Sequence, residues 1–565
     1  MNQPPAETET DEQSAKGESS PVSSRRRYSW KSFSIKALLM LMLLAALASW
    51  YIHDQLRQPL SPVQFWDVTT GERIKWSVEL GPQTYSEPST NRDYVYVGSS
   101  NAGLDPLFPK SVDVGAIYCF DKADGDFVWQ YTAKKLEAGR RSDWPMQGIT
   151  NRVFAENDLV WFIDNRGQVI CADADGFRDG INDGPYQLES QSRLIDADVI
   201  WKYDLLKQLD VLPHNTSHCN VVVDDQRIYL NTSHGVEPDH RQLKNPHAPS
   251  FVVLDKFTGK LIWSDNRATP GIMHACWGSP ALATLHGKRQ VLFCGGDGWL
   301  YSFEPAGDRA GNPVLLWKFD CNLKDAPFEV FGRGDRNQVV VAPTVVGNRV
   351  LISMGQEPEH GVGPIHVWCI DPGNRRGDLS PTLVTPGDRY EPPSRTNQFL
   401  HCNVANGDRE IPNPDSALVW RYSGHDFDGD GELDDLLEQM NRGLSSPCVF
   451  DRHVVFSTMD GVIHCLALDT GEPKWSYDTR SGIWASMIAI DQWLYIGTED
   501  GEYQIFDIGD QPPQQPIAVM PTLKFNSVYG RPAFRNGVLY LVSRTRLTAV
   551  EDPDAKNELQ KYFLD

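Results

Sequence analysis

The sequence carries no Cys-x-x-Cys-His motif and none of the paired cysteine spacings that hold zinc. The first absence excludes a covalently attached c-type haem, and the second gives no cysteine-based zinc signature. Positive charge is scarce as well. The 53 Lys and Arg residues stand against 75 Asp and Glu, a formal net charge of −22, and no basic patch is evident. Such a surface repels phosphates instead of neutralising them, which argues against nucleic acid as a partner. What the chain has in plenty is 17 tryptophans and 45 glycines, a composition that favours one large repetitive domain within its 565 residues.

Residues 1–30 are polar, rich in Ser, Glu and Pro, and lack the apolar surface that would offset the entropy of ordering them. They are expected to form a disordered cytoplasmic tail. Arg25, Arg26, Arg27, Lys31 and Lys36 then lead into an uncharged apolar run from Ala37 to Ile52. Counted from Phe33 this segment has 20 residues, about 30 Å as a helix, the thickness of a bilayer core. Trp50 and Tyr51 suit the far interface, while the basic cluster stays cytoplasmic. Residues 31–53 therefore read as a transmembrane signal anchor, with the body, 54–565, exported to the periplasmic or extracytoplasmic side. Two alternatives stay open: a signal-peptidase site at Ala46-Leu47-Ala48, and a loose twin-arginine signal at Ser24-Arg25-Arg26. Both also export the body.

The body returns repeatedly to one pattern, a short apolar strand, a turn with Asp and Gly, and a strand containing Trp. CFDKADGDFVW (119–129), VLDKFTGKLIW (253–263) and LALDTGEPKW (466–475) are three copies, with Asp121, Asp255 and Asp469 before Gly125, Gly259 and Gly471. The tryptophans recur at Trp76, Trp129, Trp201, Trp263, Trp317, Trp420 and Trp475. Two further strands precede most copies, as in 279–304 and 446–468. Four strands per unit, repeated around a ring, make an all-β propeller. Inner strands begin near Tyr85, Gly148, Cys219, Trp277, Val341, Ser446, Ala485 and Tyr529, which gives eight units. The eighth lacks a Trp strand at the C terminus, and the orphan Trp76 strand supplies it, so the eight-bladed β-propeller closes by pairing its two ends. Unit seven has Ile517-Ala518-Val519 where a Trp is expected, which keeps a seven-bladed count open. At one repeated position a large flat side chain packs between blades, a structural role for all seven tryptophans. Cys119, Cys171, Cys369 and Cys465 occupy equivalent third-strand places in different units, too far apart for disulfides, and read as buried small apolar residues.

From about Trp66 to Glu551 the chain resembles the propellers of the pyrroloquinoline-quinone (PQQ) type, the quinoprotein alcohol dehydrogenase superfamily. Their tryptophan-docking motif, Ala-x-Asp-x-x-Thr-Gly-Lys-x-x-Trp, is matched from the Asp onward by Asp255, Thr258, Gly259, Lys260 and Trp263. The family includes members without a cofactor, namely the lipoprotein scaffold of the bacterial outer-membrane barrel-assembly machine and sensor domains of kinases. The chain looks most like a set of exported bacterial propellers of that type. The resemblance implies two functions: a binding or scaffold platform, or a PQQ-dependent dehydrogenase. Against the second stand the absence of the adjacent Cys pair that methanol-type members carry over the cofactor, the absence of a haem motif, and no residue set matching the cofactor's carboxylate clamp.

In a propeller, the loops between second and third strands and the connections between blades share one face. That face collects Asn215 with His218, His274 with Trp277, and Arg333 with Arg336 and Asn337 from the inter-blade connections. From within blades it collects Asn231 with His234, Asp297 with Trp299, and Gln356 with Glu357 and His360. His274, Trp277, Asp297, Trp299, Arg333, Arg336, Glu357 and His360 are the candidate ligand-binding residues, for a protein or small-molecule partner that the sequence does not name. Between the Trp420 strand and the Pro447 strand, on the same face, lies GHDFDGDGELDDLL (424–437). Asp426, Asp428 and Asp430 at alternate positions, Gly431 at the turn, Asp434, and the backbone carbonyl of Glu432 are spaced as in a calcium loop. Position 12 of such a loop is Leu437, with Glu438 one place late. The run from Asp173, DADGFRDGINDG, lacks this spacing and reads as a turn-rich loop.

Overall fold

The structure, a computed structural model, describes residues 63–552 apart from 137–142, 238–239, 327–334, 356–363, 388–401, 510 and 523–525, together with Met40 and residues 42–49. The expected tail at 1–30 and most of the expected anchor lie outside these. Met40 and residues 42–49 are helical and their side chains are exposed. Among the described residues no helix is long and apolar enough to cross a membrane.

The body forms eight blades, each built on four antiparallel strands, and blade four carries an added fifth strand. In blade one the strands Ser89–Thr90, Tyr94–Ser100, Val114–Asp121 and Phe127–Lys134 pair in chain order. The third strand of a blade is sandwiched by two neighbours and is apolar on both faces, as in Val114–Asp121, where all but the final Asp are buried. The outermost strand can alternate, as in Val199–Asp204 of blade two, where Val199, Trp201 and Tyr203 are buried and the residues between them are half-buried.

The tryptophans explain how blades join. Each of the seven pairs across its own sheet with a small or β-branched third-strand residue: Cys119 with Trp129, Cys171 with Trp201, Cys369 with Trp420, Cys465 with Trp475, Val253 with Trp263, Ser302 with Trp317, and Ala549 with Trp76. The indole then reaches the next blade. Trp76, Trp129, Trp201, Trp263, Trp420 and Trp475 donate Nε1–H to the carbonyls of Lys122, Ala174, Lys256, Pro305, Leu468 and Gly509, at 2.7 to 3.2 Å. Glycine completes the joint. At Gly259 (φ +65°) and Gly471 (φ +71°) a Cβ would stand 2.4 and 2.5 Å from the rings of Trp201 and Trp420, so only glycine makes this turn with an indole lying on it. Burying about 150 to 250 Å² per tryptophan contributes at most about 4 to 6 kcal/mol each.

Trp317 departs from the pattern and donates to Gln290 Oε1 in its own blade, at 2.7 Å. The reason lies in blade five. Its third-to-fourth connection, which would present the accepting turn, is opened into a long insertion between Val367–Ile370 and Leu418–Tyr422. The insertion lays Gly377–Asp378 parallel to the Trp317 strand as a fifth strand of blade four, and folds a hairpin of Thr382–Thr385 with Arg409–Pro412.

Closure is by the two ends. Ile74–Glu79 pairs with Arg546–Glu551, setting Trp76 opposite Ala549 and Val78 opposite Leu547. The ring therefore has eight blades, and blade seven is the one whose outer strand, Ala518–Pro521, has no tryptophan. All ten cysteines are free, and all except the half-buried Cys448 are buried. Burial pushes the thiols of Cys276 and Cys369 up to about 12, so they behave as small apolar groups.

Candidate functional site

The inner strands begin at the channel wall, and one position there recurs in every blade. Glu87, Arg152, Asn220, Ser279, Ala342, Ser446, Ser486 and Arg531 all line a channel of about 710 Å³. In five blades this residue stands directly before a proline: Pro88, Pro280, Pro343, Pro447 and Pro532. Proline holds the preceding residue extended, which aims it consistently. Ring members bond around the circumference. Asn220 Oδ1 accepts from the Arg152 N–H (2.6 Å), Ser279 Oγ from the Asn220 N–H (3.0 Å), and Ser486 Oγ from the Ser446 N–H (3.0 Å).

The charged part of the ring is an Arg-Glu-Arg cluster, with Arg152 and Arg531 each donating to Glu87 Oε1 at 3.3 Å. Its formal charge is +1 in a protein of −22. Aromatic rings flank it: Tyr85 stacks on Tyr529 at 5.2 Å, and Trp484 meets Tyr529 edge-on at 5.4 Å. Burial pushes the Tyr85 hydroxyl up, so it acts as a neutral donor, here to Gln83 Oε1 at 2.9 Å. None of these residues was among the sequence-level candidates, although the residue-before-proline pattern carried the signal.

The sequence candidates on the loop face fall into separate groups. His274 and Trp277 come together, with ring centroids 4.8 Å apart and edge to face. The Trp277 Nε1–H donates to the His214 carbonyl at 2.9 Å while its ring lines the channel. Asp297 and Arg336 also meet: Arg336 Nε donates to the Asp297 carbonyl oxygen (3.2 Å) and its Nη2 to Asp320 Oδ1 (2.6 Å), beside Lys324 Nζ on Asp320 Oδ2 (2.6 Å). Arg336 and Asp320 are fully buried, and Trp299 lies in the blade core under Lys318 and Lys324 at 4.1 and 4.5 Å. Burial pushes the Asp297 carboxyl up to about 7, against the Tyr301 hydroxyl that donates to it at 2.6 Å. This trio thus braces the connection between blades four and five and does not face the channel. Arg333, Glu357 and His360 lie outside the described residues.

In the acidic loop, carboxylate oxygens of Asp426, Asp428 and Asp430 lie within 4.8 Å of one another. Gly429 and Gly431 take left-handed backbone (φ +81° and +91°), which lets their N–H groups turn inward to Asp426 at 2.5 and 2.8 Å. The Gly431 and Gly429 N–H groups hold the Asp426 carboxyl below the usual carboxylate range. Glu432 and Asp434 are exposed further along. Glu438 turns back on the start of the loop: Oε1 accepts from the N–H of Phe427 (2.7 Å) and Asp428 (3.3 Å), while Oε2 is buried without a hydrogen-bond partner.

PQQ, the cofactor the resemblance implies, is a planar tricarboxylate and asks for several converging cations. Among the described residues the channel ring offers Arg152 and Arg531, both already engaged by Glu87, and these residues do not fit that group.

Fold and face together define a closed eight-bladed β-propeller with a polar, unrepeated channel mouth. Among solved structures it is similar to BamB from Moraxella catarrhalis, with TM-score 0.51 and 13% identity over 87% of this chain and 100% of that one. A computationally designed protein, Ika8, aligns with TM-score 0.46 and 12% identity over 84% of this chain and 99% of that one. No family model matches the sequence. No curated protein does either.

Proposed function

We propose that the protein is a binding or scaffold platform that engages a protein or small-molecule partner at the channel mouth and loop face. The observation that carries this reading is the ring of eight channel residues: the backbone position repeats in every blade, whereas its occupants range from Glu and Arg to Asn, Ser and Ala. A rigid frame presenting non-repeating side chains suits recognition, and the family resembled includes a cofactor-free scaffold. The propeller is exported and held at the membrane by residues 31–53, and calcium orders the acidic loop through Asp426, Asp428, Asp430, Asp434 and the Glu432 carbonyl. The buried, unpartnered Glu438 Oε2 beside that loop supports a cation there.

Photo-crosslinkers at Trp484 and Tyr529 in native membranes test the platform. A discrete adduct that disappears in the double variant Arg152→Ser/Arg531→Ser is expected. Quinone-dependent dye reduction by protein reconstituted with PQQ and calcium would replace this reading with the dehydrogenase. For the tether, the membrane-extracted chain should retain its native N terminus and resist carbonate washing. A soluble form starting at Ser49 would overturn it.

A further inference from the structure

Next to the channel, three imidazoles converge where the propeller repeat does not call for them. Three connections build the place. Residues 212–214, between blades two and three, lie beside 233–236 from within blade three, which lie beside 274–276, between blades three and four. They pair through single bridges, Pro213 with His234 and Gly235 with Ala275. Backbone bonds lock them: His214 N–H to Ser233 O (3.1 Å), Val236 N–H to His274 O (2.8 Å) and Gly235 N–H to Leu212 O (3.3 Å). Gly235 permits the approach, since a Cβ there would stand 2.5 Å from the His274 carbonyl and 2.8 Å from His214 Cβ. Past Val236 the chain doubles back, bridging Val236 to Leu243 and bonding the Glu237 N–H to Gln242 O at 2.7 Å. That turn brings His240 (φ +60°) over the other two.

The nitrogens point inward. His214 Nε2 lies 2.8 Å from His274 Nε2 and 3.0 Å from His240 Nε2, and one ligand atom from each ring falls within 4.8 Å of the others. The outer nitrogen of His214, Nδ1, is 2.8 Å from the Val236 carbonyl. A carbonyl only accepts, so Nδ1 carries the proton and the neutral ring presents its Nε2 lone pair to the centre. An outer N–H held by a backbone carbonyl is the usual support of a metal-bound imidazole. That lone pair can accept from either facing ring nitrogen, whereas a cation at the centre would engage all three rings at once. Around a tetrahedral ion with metal–nitrogen distances of about 2.0 to 2.1 Å, neighbouring nitrogens stand about 3.3 Å apart. His214 Nε2, at 2.8 and 3.0 Å from the other two, needs to draw back from each by only about 0.3 to 0.5 Å.

We propose that His214, His240 and His274 form a binding site for a late first-row divalent cation of the zinc class, with a fourth position for water or a ligand. Imidazole donors select such ions over calcium and magnesium, which prefer oxygen. His214 and His274 are buried and His240 is half-buried, which leaves the ion a route in. The ion ties together three connections and sits behind Trp277, whose ring contacts both His274 and the channel.

The test is metal uptake by the full-length protein after chelator treatment. Titration with Co²⁺ should give one equivalent and the visible bands of four- or five-coordinate cobalt, and Zn²⁺ should displace them. His240→Asn keeps the left-handed turn but removes the imidazole. It should weaken binding by at least about 100-fold, beyond the usual loss for a second-shell partner. His286→Asn, at another left-handed turn and paired with Asp371, should leave uptake unchanged. Absence of stoichiometric cobalt binding by the wild type would overturn the proposal, and so would equal binding by wild type and His240→Asn.

Discussion

The seam between blades and the loop face are built from the same chain by opposite rules. At the seam one solution recurs: six indoles donate to a carbonyl of the following blade. At the loop face the second-to-third turns of blades two, four, six and seven still share one hydrogen-bonded form, whereas the Arg-Glu-Arg cluster, the three imidazoles and the acidic loop each have no counterpart among the described residues. Repetition marks what holds the ring together, because each copy must bury the same surface against its neighbour. Chemistry is to be sought where the repeat is broken. The two exceptions at the seam support this division: Trp317 donates within its own blade where blade five opens into an insertion, and blade seven does without a tryptophan.

The largest effect should come from breaking the seam. Trp201→Ala removes the bond to the Lys256 carbonyl (3.2 Å) and leaves a cavity over Gly259. It should cost about 3 to 5 kcal/mol of unfolding free energy in denaturant titrations. A loss under about 1 kcal/mol would mean that the indoles are not what joins the blades.

A buried polar group inside a blade should give a smaller effect that appears only in acid. His464 stacks on Phe456, accepts or donates at Nδ1 with Ser476 Oγ (2.9 Å), and buries Nε2 without a partner. Burial pushes its pKa down to about 3. An unfolded histidine titrates near 6.5, so below that pH the unfolded chain takes the proton first and the fold loses stability until about pH 3. Between pH 6.5 and 5 this amounts to about 1.6 kcal/mol. His464→Phe should flatten that part of the stability profile. A variant with the wild-type acid slope would place the titrating group elsewhere; His366, pushed down to about 4 by burial, acts in the same direction.

The blades were legible in the sequence because they repeat. The Asp-Gly turns, the tryptophans, the eight units and the closure by the Trp76 strand all follow from one pattern compared with itself. Cys119, Cys171, Cys369 and Cys465 could be read as unpaired by the same comparison. The loop face resisted for the converse reason, since a connection that occurs once has no second copy to align. His274 and Trp277 were recognisable as a pair. His214 and His240 were not, because their approach depends on isolated bridges and on Gly235, which carry no periodicity. Trp299 and Arg336 carry ligand-type groups, but their burial inside the fold could not be read from the sequence. Glu438, one place late for a calcium loop, reaches back to the Phe427 and Asp428 N–H groups by way of the chain reversal after Asp434.

The smallest effect, and the sharpest contrast within the loop face, is expected of the acidic loop. Its donors are exposed oxygens held by glycine N–H groups, whereas the histidine cluster offers mostly buried nitrogens, so the two should divide metals between them. If calcium binds only the folded loop, stability rises as RT ln(1 + [L]/Kd), about 1.4 kcal/mol at ten times Kd. Asp428→Ala should remove most of that increment. It should change metal-free stability little, because the single bond from the Asp430 N–H (3.1 Å) is lost together with a charge that repels its neighbours. Magnesium should substitute poorly, since it demands a tighter octahedral shell. The same variant should keep its cobalt bands, and His240→Asn should keep its calcium response. Calorimetry showing an equal calcium response in wild type and Asp428→Ala would leave this loop a solvated turn, and the contrast between the two clusters would then reduce to the imidazoles alone.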